Sequence, residues 1–325
     1  MSAPEYFTEH ASDGRIASTT PVLQTVTAAD LQLKDFPPPK FVVPGFVVEG
    51  LTLLAGKPKV GKSWLVIDWC LAVACGGFAC GSMPCESGDV LYAALEDSDR
   101  RLQRRIGQLL PGATTWPDRL QLTCEMRGFD DGGVGDLVDW CDRVANPRLI
   151  VIDTLARVRG KRPSHESQYQ NDYGTLIELH GLANERDVAV LIVHHVRKMD
   201  SEDPLDTVSG TTGLTGAADS VLVLNRDSQG PVLYGRGRDL EEVETAMQFD
   251  KTTGQWTVLG GADEVRRSDA RNRIIKELVA NGRGMGPKEI AAATGLPETG
   301  VRKMLPRMVQ AGELEKKGRG RYAAL

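Results

Sequence analysis

The sequence predicts an α/β domain with a mostly parallel sheet, followed by a small domain of three helices and a hairpin. Three observations carry this reading. Between about residues 41 and 260, short apolar runs alternate with helical stretches. The runs are apolar throughout rather than alternating, which suits strands buried on both faces of a parallel sheet. The last sixty residues then change in both charge and pattern.

Residues 1–40 are polar and end in Pro37-Pro38-Pro39, which favours an extended, flexible segment, so order is expected to begin near Phe41. The buried strands are expected at Leu51–Ala55, Val90–Leu95, Leu149–Ile152, Val188–Val193 and Ser220–Leu224. Helices fit between them at Ser63–Cys75, Ser98–Leu110 and Gln168–Arg186, giving a βαβ pattern. Val232–Tyr234 with Ala246–Phe249, and Trp256–Leu259, read as antiparallel strands at one edge. The α/β domain is thus expected over residues 41–262. Beyond it, helices are expected at Asp269–Asn281, Pro287–Thr294 and Pro297–Gln310, stopped by Gly282, Gly295 and Gly312. Glu313–Lys317 and Arg321–Leu325 read as two strands around a Gly318–Gly320 turn. Three helices and a hairpin over residues 266–325 predict a winged helix-turn-helix. No internal repeat is evident.

A chain of 325 residues accommodates one α/β core and a small second domain. Its 41% apolar and 26% charged residues are those of an ordinary soluble protein. The N-terminus lacks a basic-then-apolar leader pattern. The longest apolar stretch, Trp64–Gly81, contains Asp68 and several glycines, so it reads as a buried helix and not a span. No membrane partner is expected, and a cytoplasmic location is. Cys70, Cys75, Cys80 and Cys85 recur every five residues, a spacing unsuited to zinc and without histidine, so small buried thiols are expected. Net charge is −5, but residues 266–325 hold 14 Lys+Arg against 6 Asp+Glu, a net +8, leaving −13 for the rest. An acidic body with a basic tail suggests contact with nucleic acid.

Gly56-Lys57-Pro58-Lys59-Val60-Gly61-Lys62-Ser63 matches the phosphate-loop pattern, placed after a strand and opening a helix. Glycines let backbone N–H groups turn toward phosphate oxygens, and the helix N-terminus favours an anion. Lys62 is expected to reach the β- and γ-phosphates of ATP and the Ser63 hydroxyl to ligate Mg²⁺, with the nucleotide site running on to Trp64. Leu149-Ile150-Val151-Ile152-Asp153 reads as a Walker B strand that places the Asp153 carboxylate beside the same Mg²⁺. Hydrolysis also needs a group to orient or deprotonate water. Asp153 is followed by Thr154 and not by Glu, which departs from the usual AAA+ arrangement. The strand ending Leu95-Glu96-Asp97 supplies the expected base, Glu96, with Asp97 as its fallback.

These residues carry a resemblance. Pro44-Gly45, the run Leu53–Ser63, the strand Val90–Asp97 and Arg101-Leu102-Gln103-Arg104-Arg105 resemble the RepA-type branch of the RecA/DnaB superfamily of hexameric helicases. Those ATPases accompany plasmid, phage and integrated-element replication. The similarity extends to about residue 260. It implies a RecA-like P-loop core in which the Glu96 strand lies beside the phosphate-loop strand. It implies that His195, with His194 nearby, senses the γ-phosphate or relays to a DNA loop. Val196–Gly213 would project into a ring channel, with Arg197, Lys198 and Ser209–Gly213 on single-stranded DNA. Arg157, Arg159, Lys161 and Arg162 would form a second basic loop. Arg238 would be an arginine finger for a neighbouring subunit and Arg236 a second nucleotide contact, which requires a homo-oligomer, usually a hexamer. A primase or initiator is a possible partner.

In the C-terminal domain, Arg302, Lys303 and Arg307, with Glu298 and Thr299, are the exposed candidates of a recognition helix for duplex DNA. Arg319 and Arg321 would press the wing onto the backbone. The leading function is an ATP-driven, ring-forming helicase or replication ATPase. The alternative is an ATP-switched DNA-binding regulator or loader without unwinding.

Overall fold

The computed structural model describes residues 25–159, 168–196, 204–208, 213–227, 229–318 and 320–325. Contacts divide the chain into Met1–Pro38 and Pro39–Leu325. In the first unit, helix α1 (Ala28–Gln32) is capped by the Thr27 side chain. It stands within the stretch expected to be flexible; residues 1–24 of that stretch lie outside the described residues.

In the second unit, β1 (Phe41–Val43) and β2 (Val47–Val48) form a small hairpin before β3 (Gly50–Gly56). Helix α2 (Lys62–Cys75) follows, then a second hairpin of β4 (Phe78–Ala79) and β5 (Met83–Pro84). Next come β6 (Asp89–Ala94), α3 (Asp99–Leu109), β7 (Leu120–Thr123), α4 (Gly133–Arg143) and β8 (Pro147–Asp153). The short α5 (Leu155–Val158), α6 (Gln168–Arg186), β9 (Ala189–His195) and α7 (Gly213–Ala217) lead to four strands. These are β10 (Ser220–Asp227), β11 (Gly230–Gly237), β12 (Val243–Phe249) and β13 (Trp256–Gly261).

One nine-stranded sheet runs in the order β13-β12-β11-β10-β3-β9-β8-β6-β7. The six strands from β10 to β7 are parallel, and β11, β12 and β13 extend one side antiparallel. Strand β3 is buried along its whole length, as its unbroken apolar run requires. Leu65, Trp69 and Val73 of α2 and Leu102 and Ile106 of α3 cover one face. Leu137 and Trp140 of α4 and Leu176, Leu179 and Ala183 of α6 cover the other. This arrangement is the α/β core that the apolar runs predict.

The strand order corrects one expectation. Strand β6 does not lie beside β3: it pairs with β8 and β7, and β3 is flanked by β9 and β10. Two strands therefore separate the phosphate-loop strand from the Glu96 strand. Apolar runs specify strands but not their neighbours, which the crossover helices decide.

The C-terminal residues form α8 (Ala262–Asn281), α9 (Pro287–Thr294), α10 (Glu298–Gln310) and a hairpin of β14 (Leu314–Lys316) and β15 (Tyr322–Ala324). Ile274, Leu278, Ile290, Val301, Leu305 and Met308 bury a core of their own. Helix α8 starts seven residues before the expected Asp269. Its first turns are held by the sheet: Ala262 packs with Val232 and Ala246, and Arg266 pairs with Asp227 at 2.7 Å and Glu244 at 2.8 Å.

All six cysteines are free; Cys70, Cys80, Cys85 and Cys141 are buried, but Cys75 is exposed, against the expectation of a buried thiol. Among the described residues no helix is long and apolar enough to cross a membrane.

Candidate nucleotide site

The parallel strands carry their C-terminal ends to one edge of the sheet, where β3 delivers Gly56, β9 His195, β8 Asp153 and β6 the following Glu96. Between β3 and α2 the chain turns through Lys57, Pro58, Lys59 and Val60, with Pro58 and Lys59 exposed. Both loop glycines are sterically required. A Cβ on Gly56 would lie 2.5 Å from the Leu224 carbonyl oxygen. Gly61 has φ +109°, and a Cβ there would lie 2.7 Å from the Trp256 ring.

Lys62, only 4% exposed, donates from Nζ to the carbonyl oxygens of Gly56 at 2.7 Å and Lys57 at 3.2 Å. Burial pushes its ammonium down to about 8, against the attraction of Asp153 and Glu96. Nζ also lies 3.1 Å from Nδ1 of His195, whose Nε2 lies 3.4 Å from Oε2 of Glu96. An ammonium can only donate, so Nδ1 accepts and the proton sits on Nε2, facing the Glu96 carboxylate. His195 therefore bridges the phosphate-loop lysine and the expected base. The other Glu96 oxygen accepts from the Thr154 hydroxyl at 3.2 Å. The Glu96 side chain is nevertheless 47% exposed, so water reaches it.

Ser63 Oγ donates to Asp153 Oδ2 at 2.9 Å, and Tyr92 donates to the same oxygen at 3.0 Å. Burial raises the Asp153 carboxyl, and these two bonds hold it back. A buried carboxylate beside a hydroxyl is a hard-oxygen donor pair, and it fits Mg²⁺, an ion that takes one or two protein ligands with phosphates and waters completing its shell. Among the described residues no larger cluster of His, Cys, Asp and Glu suited to a metal occurs. The residues present thus fit Mg-ATP, with the loop amides and Lys62 facing phosphates.

Other expected residues lie differently. Asp97, the fallback base, is taken up by Arg101 at 3.0 Å and by Arg105. His194 is mostly buried, and burial, then the nearby charges of Arg159, His195 and Lys62, push its imidazole down to about 4, so it is neutral at pH 7. The Trp64 ring is tilted against Phe249, centroids 6.1 Å apart, and carries the Arg105 guanidinium 5.5 Å from its centre. Arg238 bonds Asp219 at 3.2 Å and Arg236 bonds Glu242 at 2.7 Å. Gly237 pairs with Ser220, and Ser220 with Thr52, so Arg238 sits at the opposite sheet edge from its own phosphate loop.

Arg157 is exposed. Arg302 pairs with Glu298, Arg321 with Glu289 and the Gly284 carbonyl, and Lys303 and Arg307 are exposed. Lys161, Arg162, Arg197, Lys198, Ser209–Thr212 and Arg319 lie outside the described residues.

Three participants escaped the sequence reading. Tyr92 sits mid-strand, and a buried tyrosine hydroxyl usually needs a partner, which was the available signal. Thr154 follows the Walker B aspartate. Trp256 is 195 positions from Gly61, and nothing in the sequence links the two.

A family model described as an AAA domain matches residues 17–201, more than half of the chain. The chain belongs to the AAA domain family. Within that family it keeps the phosphate loop and Walker B aspartate but sets its exposed glutamate on β6. No curated protein matches. Among solved structures, a DnaB-like replicative helicase described with its interactions with primase aligns at 14% identity and TM-score 0.50, covering 68% of this chain and 62% of that one. The chain thus spans less than two thirds of that helicase. A structure described as an isolated ATPase domain aligns at 14% identity and TM-score 0.49, covering 65% of this chain and 85% of that one. A KaiC-like protein from Pyrococcus horikoshii OT3 aligns at 15% identity and TM-score 0.46, covering 68% of this chain and 99% of that one. The likeness to the helicase establishes a shared fold, the α/β core with its large, mostly parallel sheet.

Proposed function

We propose that this AAA domain protein is an ATP-hydrolysing, ring-forming DNA helicase or replication ATPase of a plasmid, phage or integrated element, translocating on single-stranded DNA. The observation that carries the reading is the contact chain Lys62–His195–Glu96, which joins the phosphate loop to an exposed carboxylate at one sheet edge. Glu96 orients and deprotonates the attacking water, and the water-accessible face of its side chain suits that task. Lys62 neutralises phosphate charge, and His195 links that charge to the base. Ser63 and Asp153 would hold Mg²⁺, which when bound supplies charge neutralisation across the β- and γ-phosphates.

Arg238 supports the ring. A seven-residue strand is about 20 Å long, too far for Arg238 to reach its own phosphates, so it can act only on a neighbour's site. Six subunits, with Arg197 and Lys198 on DNA in a channel and a primase or initiator as partner, follow from the RepA-type resemblance. Residues 266–325 serve as a winged helix after an ATPase domain at 41–262. The exposed Lys303 and Arg307 on α10 also support a second reading, an ATP-switched DNA-binding regulator or loader.

Steady-state Mg-ATP hydrolysis, measured alone, with single-stranded DNA and with duplex DNA at one salt concentration, separates the two. Severalfold stimulation by single strands is expected. Unstimulated hydrolysis with preference for a duplex site would replace the helicase by the regulator.

A further inference from the structure

Helix α3 carries two arginine stripes. Arg101 and Arg105 turn toward Asp97 and are paired with it. Arg100 and Arg104, also four residues apart, are exposed and form no ion pair among the described residues. They open onto a cleft of about 910 Å³ lined also by Ser98, Arg101, Gln103 and Trp116. No carboxylate lines it. Asp99, the nearest acid on the helix, accepts instead from the Cys124 thiol at 3.3 Å.

Trp116 forms the cleft's far wall. Its ring lies over Gly107, where a Cβ would be 3.7 Å away. It is 40% exposed, whereas Trp69, Trp140 and Trp256 are buried. Unpaired guanidinium groups beside an exposed aromatic face are the two components of a single-strand binding surface: cations that follow the backbone and a ring on which a base stacks. Residues four apart on a helix hold their Cβ atoms about 6 Å apart, within reach of neighbouring phosphates for side chains as long as arginine. A duplex would offer no free base face, and an acidic peptide would leave the ring without a partner.

We propose that the α3 cleft binds single-stranded nucleic acid, with Arg100 and Arg104 on phosphates and a base stacked on Trp116. The site is separate from the channel loop and from the C-terminal residues. It also touches the nucleotide edge, because Arg101 belongs both to the cleft and to the Asp97 pair next to Glu96.

The test is tryptophan fluorescence of the full chain without nucleotide, which makes it independent of turnover. Oligothymidylate, polyglutamate and ATP are titrated into the wild type, Trp116→Phe and Arg100→Glu/Arg104→Glu. Oligothymidylate is expected to quench the wild type and to lose most of that quench in Trp116→Phe. The double charge reversal should weaken the quench midpoint about tenfold or more, and the slope of log affinity against log salt should shrink by about 1.4, two phosphate contacts' worth for a single strand. Arg100→Gln/Arg104→Gln should fall between, which guards against a folding defect. A midpoint and slope unchanged in both double variants overturn the proposal, as does equal Trp116 quenching by polyglutamate or by ATP alone.

Discussion

The indole Nε1 of Trp256 donates to the carbonyl oxygen of Gly61 at 3.2 Å, tying the outermost strand of the sheet to the phosphate loop. The same ring occupies the space a Gly61 side chain would need. The loop's shape is therefore set in part by a residue 195 positions later.

Trp256→Phe keeps most of the ring and removes the donor. A hydrogen bond of this kind is worth about 1 kcal/mol. KM for ATP should rise about fivefold, with kcat within about twofold of wild type. Gly61→Ala adds a positive-φ penalty and a clash with the ring, so it should bind ATP far more weakly than Trp256→Phe. Isothermal titration with ATP on both variants checks the order, and a Gly61→Ala protein that binds normally contradicts it.

Asp68 makes stability depend on pH. Burial lifts its carboxyl from near 4 to about 6, although the Cys80 backbone N–H donates to it at 2.7 Å. Its folded pKa lies above its unfolded one, so the stability it contributes is fully present below about pH 4 and is lost as pH rises through about 6. A shift of two units corresponds to about 3 kcal/mol. Asp68→Asn keeps an acceptor for Cys80 and carries no charge. Urea unfolding from pH 4 to 7.5 should show the variant gaining on the wild type by about 2–3 kcal/mol across that window. Parallel profiles would remove Asp68 as the cause.

Arg238, at the far edge of the sheet, predicts complementation. Lys62→Ala and Arg238→Ala should each abolish most ATPase activity alone. Mixed together, they form some interfaces with an intact loop from one subunit and an intact finger from the other. Activity should then reappear, up to about a quarter of wild type for random 1:1 mixing with one arginine acting across each interface. No recovery in a mixture that demonstrably co-assembles would take Arg238 out of the site.

Much of the core was legible because its strands are unbroken apolar runs, and Gln168–Arg186 and Pro287–Thr294 match their expected bounds. Lys62, Ser63, Asp153, Glu96 and His195 converge because parallel strands bring their C-terminal ends to one edge. What escaped was decided by tertiary contact. Helix α4 opens Gly133-Val134-Gly135, which reads as loop, and holds through buried Leu137 and Trp140. Strand β7 is short and half-exposed, so its apolar signal is weak. The early start of α8 depends on Arg266 reaching carboxylates on two strands. The place of β6 beside β8 is a matter of topology, which a pattern of runs does not encode.

The central claim is that Glu96, linked through His195 to Lys62, performs the hydrolytic step. The measurement that tests it most directly is ATP affinity and steady-state ATPase on the same preparation of Glu96→Gln. The variant keeps the size and hydrogen-bonding capacity of the side chain and removes its basicity. ATP affinity within about twofold of wild type, with turnover down by about 10²–10⁴-fold, is the predicted result. Turnover close to wild type would contradict the account and move the base elsewhere along the sheet edge.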